Sequence, residues 1–278
     1  MERLRVFCKM SVNFSVSGLL AVLLIVAALQ SAQAEVSQRV GYAYDKQTGR
    51  FLYSETHHEI LRDGRPIENT VVYRDDEGRV FAQKHIDFHK SQVMPDFQLV
   101  NTENGHVEGA RGGETRLSIH FQKRSDSQVR EASVEIPSNG IVDAGFDRFI
   151  EQNWAALAAG KVLEREFLIP SQLEFYTFEI AKISSRESAE MAFRLQIKSL
   201  FLQMFVPSVR VYYDVQTRAL LRYEGISNIR NNAGENFDVR IEFARPARPA
   251  RAKVRIESDT GVVSLRERRP PGDQLAVR

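Results

Sequence analysis

The sequence predicts a mostly β protein (α+β) built from successive antiparallel hairpins, with one amphipathic helix in mid-chain. Three observations predict it. Apolar and polar residues alternate with a period of two in several runs, as in sheets with one buried and one wet face. Glycine-containing turn dipeptides separate those runs. One segment alone switches to helical spacing.

The N-terminal segment comes first. Arg3, Arg5 and Lys9 stand against the single acid Glu2, and Gly18 to Leu29 carries no charge. Ala32-Gln33-Ala34 precedes Glu35. A basic start, a short apolar core and a small-x-small exit are the parts of a secretory signal peptide. The apolar stretch is short for a bilayer span, which needs roughly 20 residues. The expectation is therefore cleavage after residue 34 and export to a bacterial periplasm. Cysteine usage agrees with this. Cys8 is the only cysteine, so residues 35–278 have no disulfide, no thiolate nucleophile and no Cys-ligated metal.

The strand signals follow. Leu117, Ile119 and Phe121 alternate with Ser118, His120 and Gln122. Ala132, Val134 and Ile136 alternate with Glu131, Ser133 and Glu135. Met191, Phe193, Leu195 and Ile197 alternate with polar or small neighbours, as do Phe237, Val239, Ile241 and Phe243. Turn signals stand at Thr48-Gly49, Asp63-Gly64, Glu77-Gly78, Asn104-Gly105, Gly112-Gly113, Asn139-Gly140 and Ala233-Gly234. The segment Tyr44-Asp45-Lys46-Gln47-Thr48 has an echo in Tyr213-Asp214-Val215-Gln216-Thr217 and a weaker one from Tyr73 to Phe81, which reads as the same hairpin solution used repeatedly.

Phe146, Phe149, Ile150, Trp154 and Leu157 fall at helical spacing. Asp143 is placed to cap a helix of about four turns, and Gly160 to end it. Leu200 to Val206 is nearly all apolar and reads as a strand covered on both faces. Residues 35–244 thus form a single β-rich domain. Beyond it, residues 245–278 begin as an Ala-Arg-Pro linker and carry nine basic and four acidic residues. Prolines forbid a central strand there.

Chemistry is sparse. No Gly-x-Ser-x-Gly elbow, phosphate-binding glycine loop or His-Glu-x-x-His is present. His85, Asp87 and His89 are the metal-ligand candidates, although alternate positions on a strand face stand roughly 6–7 Å apart, wide for one ion. Glu55 and Glu59 flank His57 at strand spacing, an arrangement that suits general acid–base work as well as it suits an exposed face. No cofactor is expected. A mildly acidic body in an exported chain argues against nucleic acid as a partner.

Several features resemble the periplasmic lipoprotein-carrier superfamily (LolA/LolB-like). They are the signal peptide, the Tyr-Asp-x-x-Thr-Gly hairpin from Tyr44 to Gly49, and the stretch Phe146 to Gly160 leading into Phe167-Leu168-Ile169-Pro170-Ser171. The late stretch from Val211-Tyr212-Tyr213-Asp214 through Leu221 to Ile229 belongs with them. One mid-chain helix and the Ala-Arg-Pro tail set the chain apart from the carriers proper, so it is placed as a relative of them. The resemblance implies a strongly curved antiparallel sheet, an unclosed half-barrel, with the helix packed on its concave face.

It also implies a non-enzymatic protein that binds a lipid, an acyl chain or a hydrophobic partner segment. Phe146, Phe149, Trp154 and Leu157 would line the cover, with Phe201, Met204 and Phe205. Membrane contact is at most peripheral. The alternatives are an envelope scaffold or sensing subunit that binds another protein through sheet edges or the basic tail, and a metal-dependent hydrolase using His85, Asp87 and His89.

Overall fold

A computed structural model describes residues 34–245. The expected signal peptide and the linker and tail beyond Arg245 lie outside the described residues. Eight strands come first: β1 (Glu35–Asp45), β2 (Phe51–Arg62), β3 (Arg65–Arg74), β4 (Val80–Asp87), β5 (Asp96–Asn101), β6 (Val107–Gly112), β7 (Arg116–Gln122) and β8 (Arg130–Glu135). The short β9 (Gly140–Ile141) leads into helices α1 (Gly145–Gln152) and α2 (Trp154–Ala158). The chain closes with β10 (Leu163–Ile169), β11 (Glu174–Ile183), β12 (Glu190–Ile197), β13 (Val209–Asp214), β14 (Leu220–Arg230) and β15 (Asn236–Phe243).

All 15 strands join one sheet in the order β8-β7-β6-β5-β4-β3-β2-β1-β15-β14-β13-β12-β11-β10-β9. Neighbours are antiparallel except β9 and β10, which run parallel through Glu166↔Gly140 and Phe167↔Ile141. The first and last strands pair in mid-sheet, with Gly41 opposite Phe243 and Asp45 opposite Val239.

This corrects the expected half-barrel. The sheet is neither curled into a half-barrel nor closed: β8 and β9 are its two free edges. A barrel needs edge strands that hydrogen-bond to each other at matching length and stagger. Here one edge is six residues with no buried member, and the other is two residues long. Side chains from both ends of the strand order enter one apolar cluster. Leu99 and Ile119 lie in it from the first half, Phe193 and Ile180 from the second, together with Phe149 and Leu157 of the helices.

Local chemistry explains the hairpins. Gly49, Gly78, Gly105 and Gly234 hold φ between 71° and 79°, left-handed values that cost a side chain strain. Asp63 and Gly64 both have positive φ, 52° and 72°, which a two-residue hairpin turn requires. The sequence echo is a repeated hydrogen-bonding unit. Asp45 Oδ1 accepts from the Gln47 and Thr48 amides at 3.1 and 2.7 Å and from Thr48 Oγ1 at 2.8 Å. Asp214 Oδ1 accepts from the Gln216 and Thr217 amides, both at 2.9 Å, and from Thr217 Oγ1 at 3.2 Å.

These bonds hold both carboxyls below the usual carboxylate range, the Thr48 amide leading for Asp45 and the Thr217 amide for Asp214. A group whose folded pKa is lowered contributes stability above its unfolded value, about 3.9 for Asp, and loses it as pH falls through the folded value. Stability is therefore expected to fall below about pH 4, and Asp214→Asn should flatten that fall. Urea midpoints across an acid series measure it. Equal slopes for wild type and variant would refute the assignment.

The helical segment differs from the single helix expected. It breaks at Asn153, whose backbone sits at φ −106° and ψ 14° and whose side-chain amide donates to the Phe149 carbonyl at 2.9 Å. A side chain that bonds the preceding turn competes with the helical ladder. Asp143 does not cap the helix. Ala144 is the N-cap and makes no side-chain bond, while Asp143 sits at φ 42° with its carboxylate turned elsewhere. Gly145 lets the helix start touch the chain before β5: a Cβ there would lie 2.0 Å from the Val93 carbonyl oxygen. Gly160, at φ 87°, ends α2 and donates to the Leu157 carbonyl.

Candidate functional site

The sequence-derived ligand residues separate into two groups. Phe146, Phe149, Trp154 and Leu157 are buried members of the core. Phe146 meets Phe167 edge-on at 6.1 Å, and Arg165 lies over Phe149 at 4.7 Å. Trp154 meets Phe193 at 5.6 Å and Tyr213 at 6.0 Å, both edge-on. Burial pushes the Tyr213 hydroxyl pKa well up, and the Tyr213 hydroxyl donates to Asp147 at 2.6 Å, tying α1 to β13.

Phe201, Met204 and Phe205 are not on a strand. The apolar run expected as a doubly covered strand is the connection from β12 to β13, with a 3-10 turn at Leu202–Met204. Ser199 starts that turn: its backbone carbonyl accepts from Gln203 at 3.0 Å, and its hydroxyl accepts from the Leu202 amide at 3.4 Å. The turn aims large apolar side chains at solvent. Leu200 is 81% exposed, Phe201 66%, Met204 70% and Phe205 68%. Phe201 and Phe205 contact each other edge-on at 5.5 Å. Leu202 and Val206 instead pack against the core and anchor the turn.

A cleft of about 350 Å³ opens beside the turn, lined by Phe175, Tyr176, Ile197 and Leu202 on its apolar side and by Glu166, Thr177 and Lys198 among its polar members. Lys198 bonds both oxygens of Glu164, at 2.7 and 2.8 Å, which raises its pKa and keeps it cationic. Burial and the neighbouring Glu174 raise the Tyr176 hydroxyl, so it stays a neutral donor. The ensemble offers an apolar knob, an apolar cleft wall and fixed polar groups at the rim, which suits an amphiphile.

The remaining candidates fall elsewhere. His85 and Asp87 lie on β4, but His89 lies past its end and bonds the Asp87 carboxylate at 2.7 Å, with both side chains well exposed. Among the described residues no group of three or more His, Cys, Asp or Glu could hold a metal ion. Glu55 and His57 do meet, at 2.9 Å, and Asn69 Nδ2 lies 3.3 Å from His57 Nδ1. That geometry fits an Nε2-protonated ring donating to Glu55. Glu59 makes no bond to the pair, and neither Glu55 nor His57 lines the cleft beside the apolar turn.

Sequence reasoning missed a buried ion pair. Lys84 Nζ lies 2.8 Å from Asp143 Oδ1, with side chains 9% and 13% exposed. The signal for it was present. Ala82, Lys84, Ile86 and Phe88 alternate on one buried face, so a cation stands in an apolar stripe.

The fold and site define the class: a mostly β protein with one open 15-stranded sheet and an apolar turn displayed on one hairpin. The chain matches no model of a known protein family and no curated protein. The resemblance to the lipoprotein carriers is corrected accordingly. No homology supports it, and the open sheet departs from the half-barrel it implied. The shared features were hairpin turns such as Asp45 to Thr48, and turn chemistry recurs wherever a tight antiparallel connection is needed.

Proposed function

We propose that the protein is an exported, non-enzymatic binding protein that engages lipid acyl chains through the turn from Leu200 to Phe205 and the adjoining cleft. One observation carries the reading: four large apolar side chains stand more than half exposed on a single turn. Scattered exposed apolar residues are ordinary, but a contiguous patch marks an interaction surface. Leu202 and Val206 fix the turn to the core, so little ordering cost attends binding. The basic start, apolar core and Ala-x-Ala exit of residues 1–34 support export to the periplasm.

The test is a Phe201→Ser/Phe205→Ser double variant assayed by co-sedimentation with phospholipid vesicles. Both rings are largely exposed, so folding should be spared. Burying each ring is worth about 1.5–3 kcal/mol, so at least a tenfold loss of partitioning is expected. Unchanged partitioning with a native melting curve would discard the reading. Loss of a protein partner without any vesicle binding would move the turn to the scaffold alternative.

A further inference from the structure

On the same hairpin as the apolar turn, two arginines face each other across the ladder without an ion pair of their own. Arg194 of β12 and Arg210 of β13 are register partners, directly opposite each other across the ladder. Like charges at such positions repel and weaken strand pairing. Both line a groove of about 620 Å³ on the β12–β15 face.

Glu224 of β14 stands opposite Arg210 in register but within ion-pair distance only of Arg222, and the groove's other acids pair with other arginines. Glu190 is held by Arg222 at 3.5 Å and by Arg245 at 3.7 Å. Glu187 pairs with Arg245 at 3.2 Å, Glu224 with Arg222 at 3.1 Å and Glu242 with Arg240 at 3.0 Å. Among the described residues, Arg194, Arg210 and the groove's Arg186 make no ion pair, and Arg194 Nε is buried without a hydrogen-bond partner. Arg222 is engaged as well, its guanidinium stacked on Tyr212 at 3.8 Å.

We propose that Arg194 and Arg210 form a binding site for the phosphate of an anionic lipid whose acyl chains meet the turn from Leu200 to Phe205. The proposal rests on the lipid-binding reading above. A phosphate accepts hydrogen bonds from two guanidinium forks at once and cancels the repulsion between them. The occupant follows from continuity. Arg194 lies three residues before the end of β12 at Ile197, roughly 10 Å along the strand, and the apolar turn begins just beyond. Phosphate and chains of one amphiphile are separated on that scale, and basic residues near an anionic surface add roughly fivefold each to binding.

The experiment compares vesicles of phosphatidylcholine alone with an equimolar mixture of phosphatidylcholine and phosphatidylglycerol, read by co-sedimentation. Wild type is expected to prefer the anionic vesicles by roughly twentyfold, the product of two such contributions, and to lose the preference as salt rises. Arg194→Gln/Arg210→Gln should abolish the preference and keep the binding to neutral vesicles, with a melting curve close to wild type because the like-charge pair it removes offsets the loss of Arg210 opposite Glu224. Equal binding of wild type to both vesicles would overturn the headgroup site and leave the apolar turn standing. Absence of binding to either vesicle would remove the lipid reading itself. Equilibrium dialysis with inorganic phosphate is the third arm: arginine-dependent phosphate binding without any vesicle preference would overturn the lipid assignment in favour of a free anion.

Discussion

Replacing Lys84 by alanine is expected to destabilise the protein by about 3–5 kcal/mol. The ammonium group sits inside the apolar face of β4, between Ala82 and Ile86, and its Nζ lies 5.9 Å from the centre of the Phe97 ring. Its partner Asp143 receives only one further contact, Asn228 Nδ2 at 3.4 Å, and Asp143 Oδ2 is buried with no hydrogen bond. Removing the lysine leaves a carboxylate desolvated and unpaired. That penalty, rather than the attraction lost, sets the size of the effect.

The double variant Lys84→Met/Asp143→Asn should recover most of the loss. Methionine fills the lysine's volume, and asparagine tolerates the left-handed backbone at position 143. Urea midpoints at constant m-value measure both. A single-variant loss under about 1 kcal/mol, the range of exposed pairs, would show that water reaches the bridge.

Trp154→Ala is the second large effect, about 3–5 kcal/mol of stability, from the cavity and the lost edge-on contacts with Phe193 and Tyr213. Vesicle binding per folded molecule should not change, because Trp154 is 8% exposed and lies within the core. The contrast with Phe201→Ser/Phe205→Ser separates the two groups of residues that the sequence placed in one site. If Trp154→Ala instead spared stability and lost binding, the helices would be part of the ligand surface.

Phe201, Met204 and Phe205 show why the candidate site was only half legible. An apolar run of seven residues satisfies the pattern of a buried strand, and nothing local distinguishes that from an exposed turn. Ser199, whose carbonyl and hydroxyl both bond into the turn, was the one local hint. Arg194 and Arg210 were invisible for another reason. Their charges matter only because β12 and β13 pair in one register, and each position alone is an ordinary wet-face arginine. The helix break at Asn153 hangs on a single side-chain bond inside an otherwise regular period.

By itself the sequence determined the strands marked by period-two alternation, β7, β8, β12 and β15, and the tight turns at Gly49, Gly64, Gly78, Gly105 and Gly234, because alternation, positive φ at glycine and Asp-to-amide bonding act within a few residues. Only the tertiary structure decided which strands neighbour one another across the chain. It set β1 against β15, left β8 and β9 as free edges, brought Lys84 to Asp143, and turned Leu200 to Phe205 out to solvent. These outcomes depend on contacts between segments far apart in the chain, where burial and charge compensation are settled by the whole core and no local pattern carries the information.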